Sequence, residues 1–157
     1  MMRFTHTDRR LGLMVVILAL LACTVLFLSS CQQVGSALQD GYYTAEMAEF
    51  DEKGWKEYVT IGISGGEIVT VEFNAKNASG LIKAWDMSYM RRMNAAKGTY
   101  PTRYTRTYAA SLIRSQSPNQ IDAVAGASVS GWNFSSLISA ALENAKTGNR
   151  AVALVGA

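Results

Sequence analysis

Histidine and cysteine are nearly missing from this chain. Its one histidine, His6, and its two cysteines, Cys23 and Cys31, all fall within the first 31 of 157 residues. Once that segment is removed or lipidated, the rest has no internal disulfide, no thiolate metal site and no catalytic cysteine. Carboxylates do not fill the gap. Asp51 and Glu52 share one turn, and no acids cluster for acid–base work or for a metal. Proline is scarce, with only Pro101 and Pro118, and no repeat or low-complexity stretch occurs. The formal net charge of +3 owes much to the N-terminal segment: without Arg3, Arg9, Arg10 and Asp8 it is near +1. No basic stripe interleaved with aromatics is visible, so nucleic acid is not expected as a partner.

What is present begins with an export signal. Arg3, Arg9 and Arg10 flank an uncharged, largely aliphatic run from Leu11 to Ser30. It ends in Leu28-Ser29-Ser30-Cys31, the pattern of a bacterial lipoprotein signal, in which cleavage leaves Cys31 as an acylated N-terminus. An uncleaved anchor stays open, because about 20 apolar residues can span a bilayer. Both readings export residues 32 onward and tether them, facing the extracytoplasmic side of a cell membrane or an outer membrane. Residues 1–30 then form the signal peptide, 31–39 a tether and 40–157 one domain. About 125 residues is enough for a single small core.

Within the domain the hydrophobic period changes once. Tyr42 to Met47 is aromatic and β-prone. Trp55–Ile63 and Glu67–Phe73 alternate in polarity around Ser64-Gly65-Gly66, which predicts a hairpin. After Asn77-Ala78-Ser79-Gly80 the spacing turns helical. Trp85, Tyr89 and Met93 fall on one face beside Met90, and Lys97-Gly98 stops the run. Pro101 opens a second helix with Tyr104, Tyr108 and Leu112 as its stripe. Ile121–Val124 reads as a short strand. From Ser130 onward Phe134, Leu137, Ile138, Ala141 and Leu142 mark a third helix, and Arg150–Ala157 suits an edge strand or a frayed end. The expected class is α+β: a small single domain with an N-terminal antiparallel β-hairpin/sheet packed by three helices.

The stretch with chemical content is Asp122-Ala123-Val124-Ala125-Gly126-Ala127-Ser128-Val129-Ser130. Gly126 and Ala127 add almost no bulk, so a ligand can lie on the backbone. The amides that follow open a helix, whose N-terminus favours phosphate. Ser128 is then a donor to that phosphate or a group esterified by it. The plainer alternative is a small-residue turn with Ser130 as helix N-cap. A second motif, Gly62-Ile63-Ser64-Gly65-Gly66, matches a nucleophile elbow in letters only. An elbow needs a strand-to-helix turn and a histidine base, and neither is expected here.

Taken in order, Asp40-Gly41-x-Tyr43, Gly54-Trp55-Lys56 before the hairpin, Asp86-x-x-Tyr89, Pro101 with Tyr104, and Asp122-x-x-x-Gly126-Ala127-Ser128-x-Ser130 with Phe134 and Leu137 resemble the FMN-binding domain of small bacterial lipoproteins. The same domain is similar to the covalent-FMN domains of the Rnf complex G subunit and the sodium-translocating NADH:quinone reductase C subunit. The resemblance spans about residues 40 to 147. It implies an FMN joined by a phosphoester to Ser128, installed from FAD by a magnesium-dependent flavin transferase. Asp122 would start the recognition motif, with Gly126, Ala127, Val129 and Ser130 shaping the loop. Serine stands where the family usually has threonine, and Ala125 where it commonly has a hydroxyl.

The composition suits a flavin holder. Trp55, Trp85, Tyr89 and Trp132 can pack around an isoalloxazine ring, and Lys83 can place positive charge near its N1–C2 edge. With no acid–base set of its own, the chain is expected to be an electron carrier whose redox chemistry belongs to FMN. Its partner would be a membrane redox protein or an extracytoplasmic electron acceptor. The alternatives are non-covalent flavin binding, a non-redox interaction module, and an accessory subunit of a larger membrane redox complex.

Overall fold

The computed structural model describes residues 38–156. The signal, Cys31 and all but the last two tether residues lie outside them. Strands β1 (Gly41–Met47), β2 (Lys56–Ser64), β3 (Glu67–Lys76) and β4 (Ala153–Val155) form one sheet in the order β3-β2-β1-β4. The first three pair antiparallel, and β4 joins β1 in parallel, so the sheet is mixed. Ser64 pairs with Glu67 across a two-residue Gly65–Gly66 turn, which leads into another strand and not a helix. The elbow-like motif is therefore a hairpin end.

Helices α1 (Met87–Lys97), α2 (Pro101–Ser115) and α3 (Ser128–Thr147) complete the domain. Alternation along the strands puts Tyr43, Ala45, Val59, Ile61, Ile63, Ile68 and Phe73 on one sheet face. Against them pack Tyr104, Tyr108 and Leu112 from α2 and Phe134, Leu137, Ile138, Ala141 and Ala145 from α3, all buried. Phe73, Tyr108 and Phe134 form the centre, with ring centroids 4.8 to 6.2 Å apart. On the other sheet face Glu46 pairs with Lys56 at 2.9 Å and Lys76 at 2.7 Å. Those two ammonium donors lower its carboxyl pKa.

The α+β class with three helices on a small sheet is what forms; three local boundaries differ from the sequence expectation. Trp85 lies in a 3-10 turn, Lys83–Trp85, and not in α1. The Asp86 carboxylate accepts the Tyr89 amide at 2.8 Å, and that N-cap decides where the helix starts. Ile121–Val124 is not a strand: no sheet edge lies beside it, and the Val124 amide donates to the Tyr108 hydroxyl instead. Finally α3 begins at Ser128, with Ala127 as its N-cap, two residues before the expected start at Ser130.

Candidate functional site

The small-residue loop is held from the core. The buried Tyr108 hydroxyl accepts from the Val124 amide at 3.0 Å and donates to the Ala127 carbonyl at 3.2 Å, gripping both ends of the Val124–Ala127 turn. This grip needs Gly131, where a Cβ would lie 2.6 Å from the Tyr108 oxygen. Gly126 has φ +78°, and a Cβ on it would meet the Lys97 carbonyl oxygen at 2.6 Å. Conformation and close packing against the end of α1 therefore both call for glycine. Behind the loop the Thr99 hydroxyl is buried, with no hydrogen-bond partner among the described residues.

The loop delivers Ser128 as the first residue of α3. The helix has no side-chain cap, and its first backbone bond closes from the Gly131 amide to the Ala127 carbonyl at 3.0 Å. The amides of Ser128, Val129 and Ser130 precede that bond, at the positive end of a 20-residue helix. They border a cleft of about 830 Å³ whose walls include Gly126 to Ser130, Trp55, Lys83, Tyr89 and Tyr104. Ligand sites commonly occupy roughly 300–1,000 Å³. A side lobe of about 460 Å³ continues along α1 past Tyr89, Arg92, Met93 and Lys97.

Two ionisable groups give the cleft its character. Lys83 is only 5% exposed, yet no carboxylate among the described residues pairs with it. Its ammonium lies over the rings of Tyr89 at 5.0 Å and Trp55 at 5.8 Å. Burial lowers its pKa, against the more distant pull of Glu57 and Asp51. A buried cation supported only by π faces is costly unless an anion joins it. Glu57, equally buried, is by contrast satisfied: Ser130 Oγ donates to it at 2.6 Å and Asn133 Nδ2 at 2.8 Å. Burial also raises the phenol pKa values of Tyr89 and Tyr104.

Of the residues named from sequence, Gly126, Ala127, Ser128, Val129, Ser130, Lys83 and Tyr89 come together in this cleft. The Ser130 hydroxyl is engaged by Glu57, so only its amide faces a ligand freely. Asp122, Trp85 and Trp132 are not cleft walls. All three are exposed, the two tryptophans by 73% and 74%. Sequence reasoning gave no site role to Glu57, Tyr104, Lys97 or Asn133. Glu57 left a readable signal: it interrupts Trp55, Val59, Ile61 and Ile63 on the inward parity of β2.

An uncapped helix N-terminus, a close-approach loop, an unpaired buried cation and facing aromatics together suit a phosphorylated, planar, anionic ligand. No protein-family model matches the chain. It is similar to the 15 kDa lipoprotein of Treponema pallidum, 33% identical over 128 residues that cover 82% of this chain and 89% of the relative. It is also similar to a Clostridium perfringens protein of known crystal structure, with a TM-score of 0.72 and 34% identity over 75% of this chain and 97% of that one.

Proposed function

The chain belongs to the family of the 15 kDa lipoprotein, and on that footing we propose that it is a lipid-anchored, extracytoplasmic flavoprotein carrying electrons on an FMN held in the cleft at the start of α3. One observation supports this reading above the rest: a single cleft unites the uncapped N-terminus of α3 with Lys83, a buried cation lacking an ion-pair partner. A phosphate suits the helix terminus. Lys83 suits a delocalised negative charge, and Trp55 and Tyr89 suit a planar ring. Bound FMN supplies the electron chemistry; the protein holds it, orients it and limits its contact with water.

Ser128 is the attachment residue in this reading. Its Oγ forms the new bond to the FMN phosphorus of FAD while the pyrophosphate P–O bond breaks. AMP leaves and the hydroxyl proton passes to the transferase or to water. Lipidation of Cys31 accounts for the tether, since two or three acyl chains hold a protein on a membrane stably.

The test is intact mass and peptide mapping of the full chain co-expressed with a flavin transferase. The peptide containing Ser128 should gain one FMN less one water, and Ser128→Ala should show no gain. A variant that kept flavin through denaturation would displace Ser128 as the acceptor. Colour lost on denaturation would make the flavin non-covalent, and a colourless protein throughout would overturn the flavin reading.

A further inference from the structure

We propose that the basic segment of α1 and α2, led by the arc of α2 that carries Arg103, Arg106 and Arg114 at helical spacing, is a docking surface for an acidic protein partner. Between Met87 and Ile121 the chain carries Arg91, Arg92, Lys97, Arg103, Arg106 and Arg114 and no acid at all. The rest of the described domain carries six cations against eleven acids, so charge is segregated and not mixed. All six are exposed, and among the described residues none forms an ion pair. Among the described residues the one hydrogen bond from their side chains is that of Arg103, which donates to the Gly98 carbonyl at 3.5 Å. Elsewhere Lys56, Lys76 and Lys146 are all paired with carboxylates.

The choice of cation separates this face from an ordinary solvated one. Five of its six are arginine, whereas five of the six elsewhere are lysine. Either residue solubilises a surface. Arginine also presents a rigid fork that pairs two-to-two with carboxylate and sheds water more readily, and interfaces are enriched in it. Apolar side chains suited to an interface accompany it: Trp85 and Met87 stand exposed where α1 begins, and Ile113 on α2. The Ala84 carbonyl accepts from the Thr102 hydroxyl at 3.1 Å, which fixes Trp85 beside the first turn of α2. Arg92 and Lys97 also line the side lobe of the cleft, so a partner that neutralises this face sits at the cleft mouth. The mixture of guanidinium groups with tryptophan and methionine matches a protein surface better than a bare phosphate array. Docking of this kind stands whether or not the cleft holds FMN.

The full chain, in nanodiscs of uncharged zwitterionic lipid, is titrated with a fluorescent peptide of twelve residues rich in glutamate. Binding should saturate and weaken as salt rises. Arg103→Glu with Arg106→Glu should cost about tenfold or more in affinity, and Arg103→Lys with Arg106→Lys about threefold, because the charge survives but the fork does not. Lys146→Glu, on the end of α3, should leave affinity within about twofold. Neither Arg103 nor Arg106 belongs to the cleft walls, and an unchanged melting temperature checks that the variants fold. Absence of saturable binding, indifference to the arginine reversal, or an equal loss in Lys146→Glu would each overturn the proposal. So would binding to anionic phospholipid vesicles through these arginines with none to the peptide, which would assign the face to a lipid surface.

Discussion

Lys83 is a buried cation that pays for its desolvation without an ion-pair partner among the described residues. Burial holds its pKa below the ordinary 10.5, with Glu57 and Asp51 only partly offsetting the desolvation. Between that lowered value and 10.5 the unfolded chain binds more protons than the folded one, so stability rises with pH across this window. Below the folded value the penalty is constant. Lys83→Met keeps the volume and removes the titration. It should unfold at higher urea than wild type at neutral pH, and the difference should shrink as pH approaches about 10. Above 10 the raised phenol pKa values of Tyr58, Tyr89 and Tyr104 act the other way, because folded tyrosines keep protons that unfolded ones lose. The comparison of urea midpoints therefore belongs between about pH 7 and 10. A variant no more stable than wild type at pH 7 would mean that Lys83 already has a strong partner. At this scale the sequence was partly legible. Gly126, Ala127 and Ser128 announced themselves by size and order, but the burial of Lys83 is decided by Trp55 and Tyr89, 28 positions before and six after it, whose approach no local pattern encodes.

Beyond the apolar packing of Tyr104, Tyr108 and Leu112, one polar side chain ties the end of α2 to the sheet. Gln116 caps α2 at φ +54°, the only non-glycine residue with positive φ among the described residues. Its amide accepts from the Ile68 amide at 2.8 Å and donates to the Ile68 carbonyl at 3.0 Å, pairing with the outer edge of β3 as a strand would. Gln116→Ala loses these bonds and keeps the strained backbone, so it should destabilise by about 2 kcal/mol. Gln116→Gly loses the same bonds and gains backbone freedom, and should fall short of wild type by only about 1 kcal/mol. Urea midpoints at constant slope measure both; a Gln116→Ala midpoint equal to wild type would show that water replaces the pairing freely. Among the elements, the strands and the α2 stripe were legible because their period is written in residues that are fully buried. α1 was misplaced because it buries no residue completely, so its pattern carried little packing information and the Asp86 cap decided its start. Ile121–Val124 has strand composition, but its backbone partner is the phenol of Tyr108 and not a strand. A side chain 16 residues away is invisible to periodicity.

The cleft belongs to the whole molecule. Its walls come from the end of β1, the turn before β2, α1, the start of α3 and the last residues of the chain, so it exists only when residues from Met47 to Gly156 are assembled. The C-terminal strand lies at the sheet edge, so its role can be separated from the rest. It pairs Ala153, Leu154 and Val155 with Ala45, Glu46 and Met47, and the Ala48 amide donates to the Val155 carbonyl at 2.9 Å. Val155 and Gly156 then close the cleft. Removing residues 152–157 uncovers the edge of β1, which should lower the melting temperature and favour edge-to-edge association. It should also loosen the ligand site. On the proposed flavin reading, Ser128→Ala leaves only reversible binding, and added FMN should raise the melting temperature of the otherwise intact chain by mass action. At about a hundred times the dissociation constant the gain is about 2.7 kcal/mol. The truncated chain, melting lower to begin with, should need a higher FMN concentration for the same rise. If both chains rose equally at each FMN concentration, β4 would be a stabilising edge alone and the ligand would lie wholly on the α1–α3 side of the cleft. A larger requirement in the truncated chain would establish that the C-terminal strand completes the site it closes.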